Sequence, residues 1–486
     1  MTSVRMPENL WTLGPEMALA VWAMALLVLD LFVPKGKKGW TNVLAVLGVV
    51  VAAVWEIKIL IPDQITAFYG FFVHDPLAVW GKLLALFGTV MVLFIAHRHV
   101  EQIPHGGEFA VLVLFATLGL MLMISANNFV IFYLGLELAS IAVYVLVGYL
   151  RGVLRSAEAG VKYLVLGALS SGMLLYGMSF LYGLSGSFMF ADIGKTLGML
   201  APDARLAAAV GLVFVVAGLA FKVSAAPFHM WTPDAYEGAP TPITAYLSTA
   251  MKLASFIVFI RFAHEAVSGA YVAQFQQMIA ALAAVSMIVG NIAAIAQRNI
   301  KRMLAYSTIG HVGFVLLGLL STGPEGYAAI LTYFTIYLVM GIAAFAVVDL
   351  LAGEGFVGEA ISEYAGLARV RPGYAVAMGL VLFSLAGIPF LAGFWAKYYV
   401  FLAAVQAGWV KLVVLAVVMS VVGAFYYIRV VKVMFFDAPR EGAFAALPAN
   451  AGVQAVVAFG ALFVTVFGLY PAPIVDICRL AVAMLL

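Results

Sequence analysis

Four charged side chains lie inside long hydrophobic stretches of this sequence: Lys222, Lys252, Lys397 and Glu137. A charge near the centre of a bilayer costs at least about 3 kcal/mol on insertion scales. Lysine and glutamate exchange protons when their surroundings change, because burial disfavours the charged form and an opposite charge favours it. These residues therefore predict a path for protons or other ions through a membrane.

The composition supports a membrane location. Of 486 residues, 65% are hydrophobic and 10% are charged, whereas a soluble domain carries roughly 25% charged residues. No basic region with a small-residue cleavage site follows Met1, so no removable signal peptide is expected. The single cysteine, Cys478, excludes an internal disulfide and a cysteine-based metal cluster. The sequence has no phosphate loop, dinucleotide fingerprint or zinc-ligand spacing.

The hydrophobic segments predict an all-α fold, a polytopic membrane helix bundle of about 14 transmembrane helices. Each has about the 20 apolar residues that a spanning helix needs. The predicted spans are about 15–33, 42–61, 77–96, 109–126, 129–150, 161–184, 207–229, 241–263, 275–296, 302–321, 327–351, 373–403, 410–436 and 453–471. The last residues, 473–486, predict a short helix in the membrane interface.

The distribution of basic residues predicts the orientation. The connections after odd-numbered spans hold fourteen Lys and Arg residues, and the opposite side holds seven, Arg261 among them. The positive-inside rule then places both termini outside and the connections after odd-numbered spans in the cytoplasm. Lys82 and Lys162 lie near span ends, where a long side chain can extend to the interface.

A weak internal repeat relates residues 126–148 to residues 296–318 at an offset of 170. The two copies begin on opposite sides of the membrane, which predicts two inverted five-helix repeats of the kind seen in transporters. We expect four parts: 1–105 with spans 1–3, 106–265 with spans 4–8, 270–440 with spans 9–13, and 445–486 with span 14 and the terminal helix.

Two of the buried lysines adjoin prolines that interrupt a helix. Lys222 precedes Pro227 in span 7, and Lys397 follows Pro389 in span 12. A proline removes a helical hydrogen bond, and the freed backbone groups must face protein or water. Each repeat is therefore predicted to contain one broken helix beside a lysine.

A buried carboxylate needs a cationic partner, and Lys222 is the natural candidate for Glu137. A static ion pair that fixes two helices would explain this pair equally well, but Lys252 and Lys397 favour a chain of proton sites. Weaker candidates for relays are Lys162, His229, Tyr306, His311 and Tyr333. For both histidines a structural hydrogen bond is an equally good interpretation, and for Lys162 the interface is the better one.

A long motif resembles a known family. Phe221-Lys222-x-x-x-x-Pro227-Phe-His229-x-Trp231-x-Pro233-Asp234, then Gly238-Ala-Pro-Thr-Pro242 and Lys252, is similar to the antiporter-like subunits of respiratory complex I and the large subunits of multisubunit sodium/proton antiporters. Glu137 and the stretch from Leu385 through Lys397 also fit. The resemblance covers about residues 100 to 480.

Within this family, three features favour a complex I subunit. Span 12 carries Lys397 where a sister subunit has a glutamate, span 11 lacks a histidine that the antiporters carry, and the chain ends soon after span 14. The central path would then run through Lys252, Tyr306, His311 or Tyr333.

The resemblance implies a proton-translocating subunit of an NADH:quinone oxidoreductase, with Glu137 paired to Lys222, Lys252 as the middle relay and Lys397 as the terminal site. It implies a hetero-oligomer with membrane subunits on both flanks and with lipids, and no nucleic acid. FMN, iron–sulfur clusters, NADH and quinone would bind in other subunits, and no cofactor or metal is expected in this chain.

Three alternatives stay open at this point. A subunit of a sodium/proton antiporter would share the lysine chain without electron transfer. A membrane subunit of a hydrogenase-type complex would differ only in its redox partner. An inert helical scaffold would need none of the buried charges for transport.

Overall fold

The computed structural model describes residues 9–34, 36–61, 63–102, 106–269, 271–352, 358–439 and 450–485. Within them the chain is almost entirely helical, apart from one antiparallel hairpin of β1 (Ile65–Ala67) and β2 (Phe72–His74). Arg5, Lys35 and Arg440, which contribute to the predicted orientation, lie outside the described residues.

The helices follow one another along the chain with short connections. They are α1 Gly14–Asp30, α2 Gly39–Lys58, α3 Pro76–Gln102, α4 Gly106–Ile124, α5 Phe129–Val147, α6 Leu154–Ser185, α7 Phe190–Met199, α8 Arg205–Val223, α9 Trp231–Gly238, α10 Thr241–Ser248, α11 Ala250–Arg261, α12 Tyr271–Ala296, α13 Ile300–Leu316, α14 Pro324–Leu351, α15 Leu367–Val370, α16 Pro372–Ala386, α17 Ala392–Gln406, α18 Val410–Phe436, α19 Ala451–Leu469 and α20 Ala472–Val482. Short 3₁₀ segments cover Leu10–Leu13, Pro202–Ala204, Leu317–Ser321, Ile361–Tyr364 and Ala483–Leu485, and a π-helical turn covers Phe262–Ala266.

The membrane-spanning segments agree with the predicted bundle. Thirteen helical segments of the described chain are long and apolar enough to cross a membrane. The one remaining predicted span, span 12, is the broken helix formed by α16 and α17. Span 8 is less regular than predicted, because Thr249 leaves helical geometry between α10 and α11.

The core is built around two segments. Every residue from Gly326 to Leu351 on α14 is buried, and so is every residue of α10 and α11 except Thr241. Outer helices such as α18 instead expose apolar side chains, and Val421 is 70% exposed. That apolar outer surface is the one expected of a protein surrounded by lipid.

The two repeats are related in the structure by 171 residues, one more than the sequence comparison gave. A Cβ on Gly119 would meet Gly135 O and Ala139 N, and a Cβ on Gly290 would meet Tyr306 O and Gly310 N. Small residues of this kind let membrane helices approach closely. Each pair of contacts joins the first two helices of its repeat, α4 to α5 and α12 to α13.

The N-terminal ends of two helices are also related by 171 residues. Asn128 caps α5 and forms a β-bridge with Met189, while Asn299 caps α13 and forms a β-bridge with Ala360. An asparagine at the N-cap satisfies backbone N–H groups that a helix leaves free. Capping and bridging therefore recur together in both repeats.

Candidate proton path

The helix α8 ends at Val223 in a tight C-terminal motif. Ser224 adopts a left-handed conformation with φ of 66°, and the N–H of Ala225 bonds to Ala220 O at 2.8 Å. This arrangement closes the last turn but leaves later carbonyl groups of the helix without helical donors. Pro227 then prevents the helix from resuming at once.

The helix α16 ends in the same way at Ala386. Gly387 has φ of 88°, and the N–H of Ile388 bonds to Phe383 O at 3.1 Å. Glycine is favoured at this position for two reasons: the conformation is left-handed, and a Cβ would lie 2.9 Å from Lys397 Cδ. Both predicted helix breaks are therefore present.

Two of the buried lysines donate hydrogen bonds to the carbonyl groups at these helix ends. Lys252 on α11 donates to Val223 O at 3.0 Å and to Ser224 Oγ at 2.6 Å. Lys397 on α17 donates to Ala386 O at 2.7 Å and to Ser420 Oγ at 2.9 Å. A cation is stabilised at a helix C-terminus by the helix dipole and by the free carbonyl groups.

Lys222 contacts the helix that carries Glu137, but the two side chains do not touch. Lys222 Nζ donates to Ser140 Oγ at 3.1 Å and to Tyr144 OH at 3.4 Å. Glu137 accepts a 2.5 Å bond from Ser171 Oγ. Ser140 and Tyr144 follow Glu137 by three and seven residues, so all three share one face of α5. The expected direct ion pair is thus absent, and each charged group bonds to hydroxyl groups of its own.

His311 is the centre of a hydroxyl network in the second repeat. Its Nδ1 lies 2.5 Å from Tyr333 OH, and its Nε2 lies 2.9 Å from Tyr427 OH, which also bonds to Ser307 Oγ. A neutral imidazole donates through one nitrogen and accepts through the other. This histidine therefore joins α13, α14 and α18 and can pass a proton between them.

The region between Lys252 and His311 is lined by aromatic and hydroxyl groups. Lys252 Nζ lies 5.5 Å from the centre of the Trp231 ring, and Tyr337 donates to Thr308 Oγ1 at 2.9 Å. The buried Tyr236 hydroxyl has no hydrogen-bond partner among the described residues. A buried hydroxyl of this kind is a suitable site for water.

Three of the weaker candidates lie apart from this chain of groups. Lys162 is partly exposed and pairs with Glu158 at 2.7 Å and Asp234 at 3.0 Å. His229 Nδ1 has no hydrogen-bond partner within the described part of the chain. Tyr306 packs at the edge of the core, and no hydrogen bond of its hydroxyl occurs among the described residues.

The partners of Lys162 belong to a surface ion cluster that joins the repeats. Arg302 at the start of α13 lies 2.6 Å from Asp234 and 2.9 Å from Glu237, both on α9. Burial alone would raise the pKa of Asp234, but its hydrogen bonds to Arg302 and Lys162 hold it below the ordinary value. This cluster fixes α9 against α13.

Sequence reasoning missed several buried charges. Lys82 does not reach the interface as predicted; it is fully buried, 2.7 Å from Glu16 and 3.4 Å from Glu56. Arg261 is not a connecting-loop residue either, because it is buried at the end of α11. Its guanidinium forms two hydrogen bonds of 2.7 and 2.9 Å with Asp75. Hydropathy alone could not pair these charges, since their partners lie on helices distant in sequence.

The structure adds hydroxyl groups to the site that no sequence motif indicated. Tyr427, Ser307 and Thr308 contact the His311 network, and Ser140 and Ser224 hold the lysines. A fold with broken helices at membrane depth and buried proton-exchanging groups beside them defines the class of ion-translocating membrane proteins.

Comparisons with known proteins agree with this class. The family model described as "NADH:quinone oxidoreductase/Mrp antiporter, TM" matches residues 126–423. NADH-quinone oxidoreductase subunit N of Paramagnetospirillum magneticum is 44% identical over 480 residues, which cover 97% of each chain. A chain of respiratory complex I from Thermus thermophilus is 31% identical with a TM-score of 0.81, over 95% of this chain and 98% of that one.

A more distant structural similarity links the chain to an antiporter. A chain of the Mrp complex from Dietzia has a TM-score of 0.82 at 19% identity, over 98% of both chains, and this similarity shows a shared fold. The chain belongs to the NADH:quinone oxidoreductase/Mrp antiporter family of membrane subunits. The family predicted from the motif around Lys222 is thereby confirmed.

Proposed function

We propose that this chain is a proton-translocating membrane subunit of an NADH:quinone oxidoreductase. The observation that carries the proposal is the attachment of Lys252 and Lys397 to the ends of two broken helices. In each case a buried ammonium depends on a helix end, so a shift of that end changes how easily the lysine holds its proton. The full-length relative named as a subunit of this oxidoreductase supports the same assignment.

The proposed path runs through both repeats. It begins at Glu137, passes the Ser140 and Tyr144 hydroxyls to Lys222, and continues to Lys252 through Ser224. The second half runs from the Tyr236 region to His311 and ends at Lys397. Waters would complete it where hydroxyl groups do not touch, because a proton moves along hydrogen-bonded groups.

Lys222 and Lys252 are linked most directly. Lys252 bonds to Val223 and Ser224, the two residues that follow Lys222 along the chain. Movement of the α8 end would therefore alter both lysines together. Tyr333 and His311 are proposed relays, and Lys162, His229 and Tyr306 belong to the flanks of the path.

The remaining parts of the assignment concern the surroundings of the chain. We propose the bacterial inner membrane with both termini periplasmic, and contacts with other membrane subunits and lipids on the apolar outer surface. FMN, iron–sulfur clusters, NADH and quinone would bind in other subunits, whose redox reaction drives the proton movement.

The experiment uses the whole complex, purified and reconstituted in lipid vesicles. Lys252→Met should lower NADH-driven acidification of the vesicles relative to quinone reduction, because methionine fills the same space without a proton site. Lys195→Met is the matched control, since Lys195 on α7 is exposed and lies beside Asp192 outside the spans. Unchanged pumping in an assembled Lys252→Met complex would contradict the proposal and favour an inert scaffold.

The antiporter alternative is tested in the same vesicles. The proposal expects acidification that persists when sodium is replaced by choline. Proton movement that requires sodium, in vesicles without NADH, would instead assign the chain to a sodium/proton antiporter.

A further inference from the structure

A second group of buried charges lies away from the lysine chain, at the end of the bundle where α1 begins. Glu16 on α1, Glu56 on α2, Lys82 on α3 and His74 on β2 are each at most 2% exposed. The β1–β2 hairpin closes the group, and Lys82 Nζ lies 4.8 Å from the Phe72 ring centre. This group is called the hairpin cluster below.

The hydrogen bonds of His74 fix which of its nitrogens carries hydrogen. Nε2 lies 3.0 Å from the carbonyl oxygen of Ile59, and a carbonyl can only accept, so Nε2 is the donor. In a neutral imidazole, Nδ1 then carries no hydrogen and presents a lone pair. Nδ1 faces Glu56 Oε1 at 3.6 Å and receives no hydrogen bond from any described residue.

This contact is unfavourable when Glu56 is ionised. A carboxylate oxygen only accepts hydrogen bonds, so two lone pairs would face each other where water cannot screen them. A proton on Glu56 turns the same contact into that of a donor and an acceptor. The geometry therefore favours one proton between the two side chains, although Lys82 Nζ lies 3.4 Å from the same oxygen of Glu56.

The charge balance leads to the same conclusion. With neutral His74, the two glutamates and Lys82 sum to one negative charge. The nearby pair of Asp75 and Arg261 is already balanced at 2.7 Å, and Glu265 lies beyond it on the π-helical turn. An uncompensated charge in a closed site is costly, and one added proton removes it.

The proton is held by the carboxyl group and not by the imidazole. Burial and the nearby ammonium of Lys82 both lower the pKa of His74. Lys82 is closer to Glu16, at 2.7 Å, than to Glu56, at 3.4 Å. Glu16 is therefore the partner of Lys82, and Glu56 is left as the carboxyl group that takes the proton.

We infer that the hairpin cluster is a proton-binding site separate from the lysine chain, in which Glu56 is protonated and one of its oxygens faces Nδ1 of His74 at 3.6 Å. This site goes beyond the proposed function. It adjoins the Asp75–Arg261 pair that anchors α11, the helix carrying Lys252.

The test is infrared difference spectroscopy of the assembled complex at neutral pH, comparing wild type with Glu56→Gln. We expect the variant to assemble as wild type does, because an amide has the shape and donor capacity of a protonated carboxyl. We also expect it to lose one protonated-carboxyl C=O band. The matched control is Asp30→Asn, since Asp30 is a buried carboxylate paired with Lys38 at 2.7 Å, and its replacement should leave that band unchanged.

Each other outcome overturns the inference. A Glu56→Gln complex that fails to assemble would mean that the site needs a carboxylate. An unchanged C=O band would mean that Glu56 is ionised. A band that appears in wild type only when sodium is replaced by choline would mean that a sodium ion occupies the cluster. The band reports the resting complex, so the result does not depend on whether the lysine chain translocates protons.

Discussion

Lys252 donates a hydrogen bond to the carbonyl of Val223, the last residue of α8, just as Lys397 donates to the carbonyl of Ala386, the last residue of α16. The two lysines come from different positions in their repeats: Lys252 lies on the span after the broken helix, and Lys397 lies on the second half of it. The shared feature is thus a contact between a lysine ammonium and the last carbonyl of a helix that is followed by a residue in the left-handed conformation. Such a contact couples the proton affinity of a lysine to the geometry of a helix break.

The first prediction separates charge from proton exchange at Lys397. Arginine keeps the positive charge but does not release its proton in proteins. In Lys397→Arg we expect an assembled complex whose pumping rate falls at least about tenfold, equivalent to about 1.4 kcal/mol on the barrier. The measurement is vesicle acidification driven by NADH, normalised to the amount of assembled complex on a native gel. Pumping at the wild-type rate would show that Lys397 only neutralises the helix end.

The second prediction concerns the hydroxyl group on α18 that contacts His311. Tyr427→Phe keeps the ring and leaves His311 Nε2 without its 2.9 Å partner. The change removes one link of the proposed hydrogen-bonded path, so we expect pumping to slow by about tenfold or more, equivalent to about 1.4 kcal/mol on the barrier. Tyr271→Phe is the control, because its hydroxyl bonds to the backbone carbonyl of Arg205 at 3.2 Å and not to the His311 network. Equal pumping in both variants would exclude Tyr427 from the path.

The third prediction addresses the buried pair of Asp75 and Arg261. Removing one partner leaves an uncompensated buried charge, so Arg261→Met should destabilise the complex by about 3–5 kcal/mol. The double variant Asp75→Leu with Arg261→Met should recover most of this loss, because neither member of the pair is then left buried and charged without the other. Thermal dissociation of the purified complex measures both. A double variant less stable than Arg261→Met would contradict the electrostatic explanation.

The fourth prediction is a pH dependence of the surface ion cluster. The pKa of Asp234 is held below its ordinary value by Arg302 and Lys162, so the contribution of this carboxylate to stability is fully present above about pH 4, its ordinary pKa. That contribution disappears as the pH falls through the lower pKa of the folded state. Asp234→Asn should therefore dissociate more readily than wild type at neutral pH, and the difference should vanish only in strong acid. A difference that vanishes near pH 6 would exclude this carboxylate as the cause.

The sequence by itself determined the membrane class, the positions of the spans and the lysines buried within them, because each of these leaves a local signal. Runs of about 20 apolar residues mark the spans, and Lys222, Lys252 and Lys397 stand out from them as single charges. Pro227 and Pro389 marked the broken helices, because proline acts on the backbone next to it. The resemblance of the motif to a known family added the roles that we propose for these residues.

Only the tertiary structure decided what the charges contact. Lys222 bonds to Ser140 and Tyr144 instead of directly to Glu137, and Lys82 is buried with Glu16 and Glu56 instead of reaching the interface. Arg261 and Asp75 are 186 residues apart in the chain and yet form a buried pair. No local pattern encodes these partners, because a side chain a few ångströms long meets whatever the packing of distant helices brings beside it.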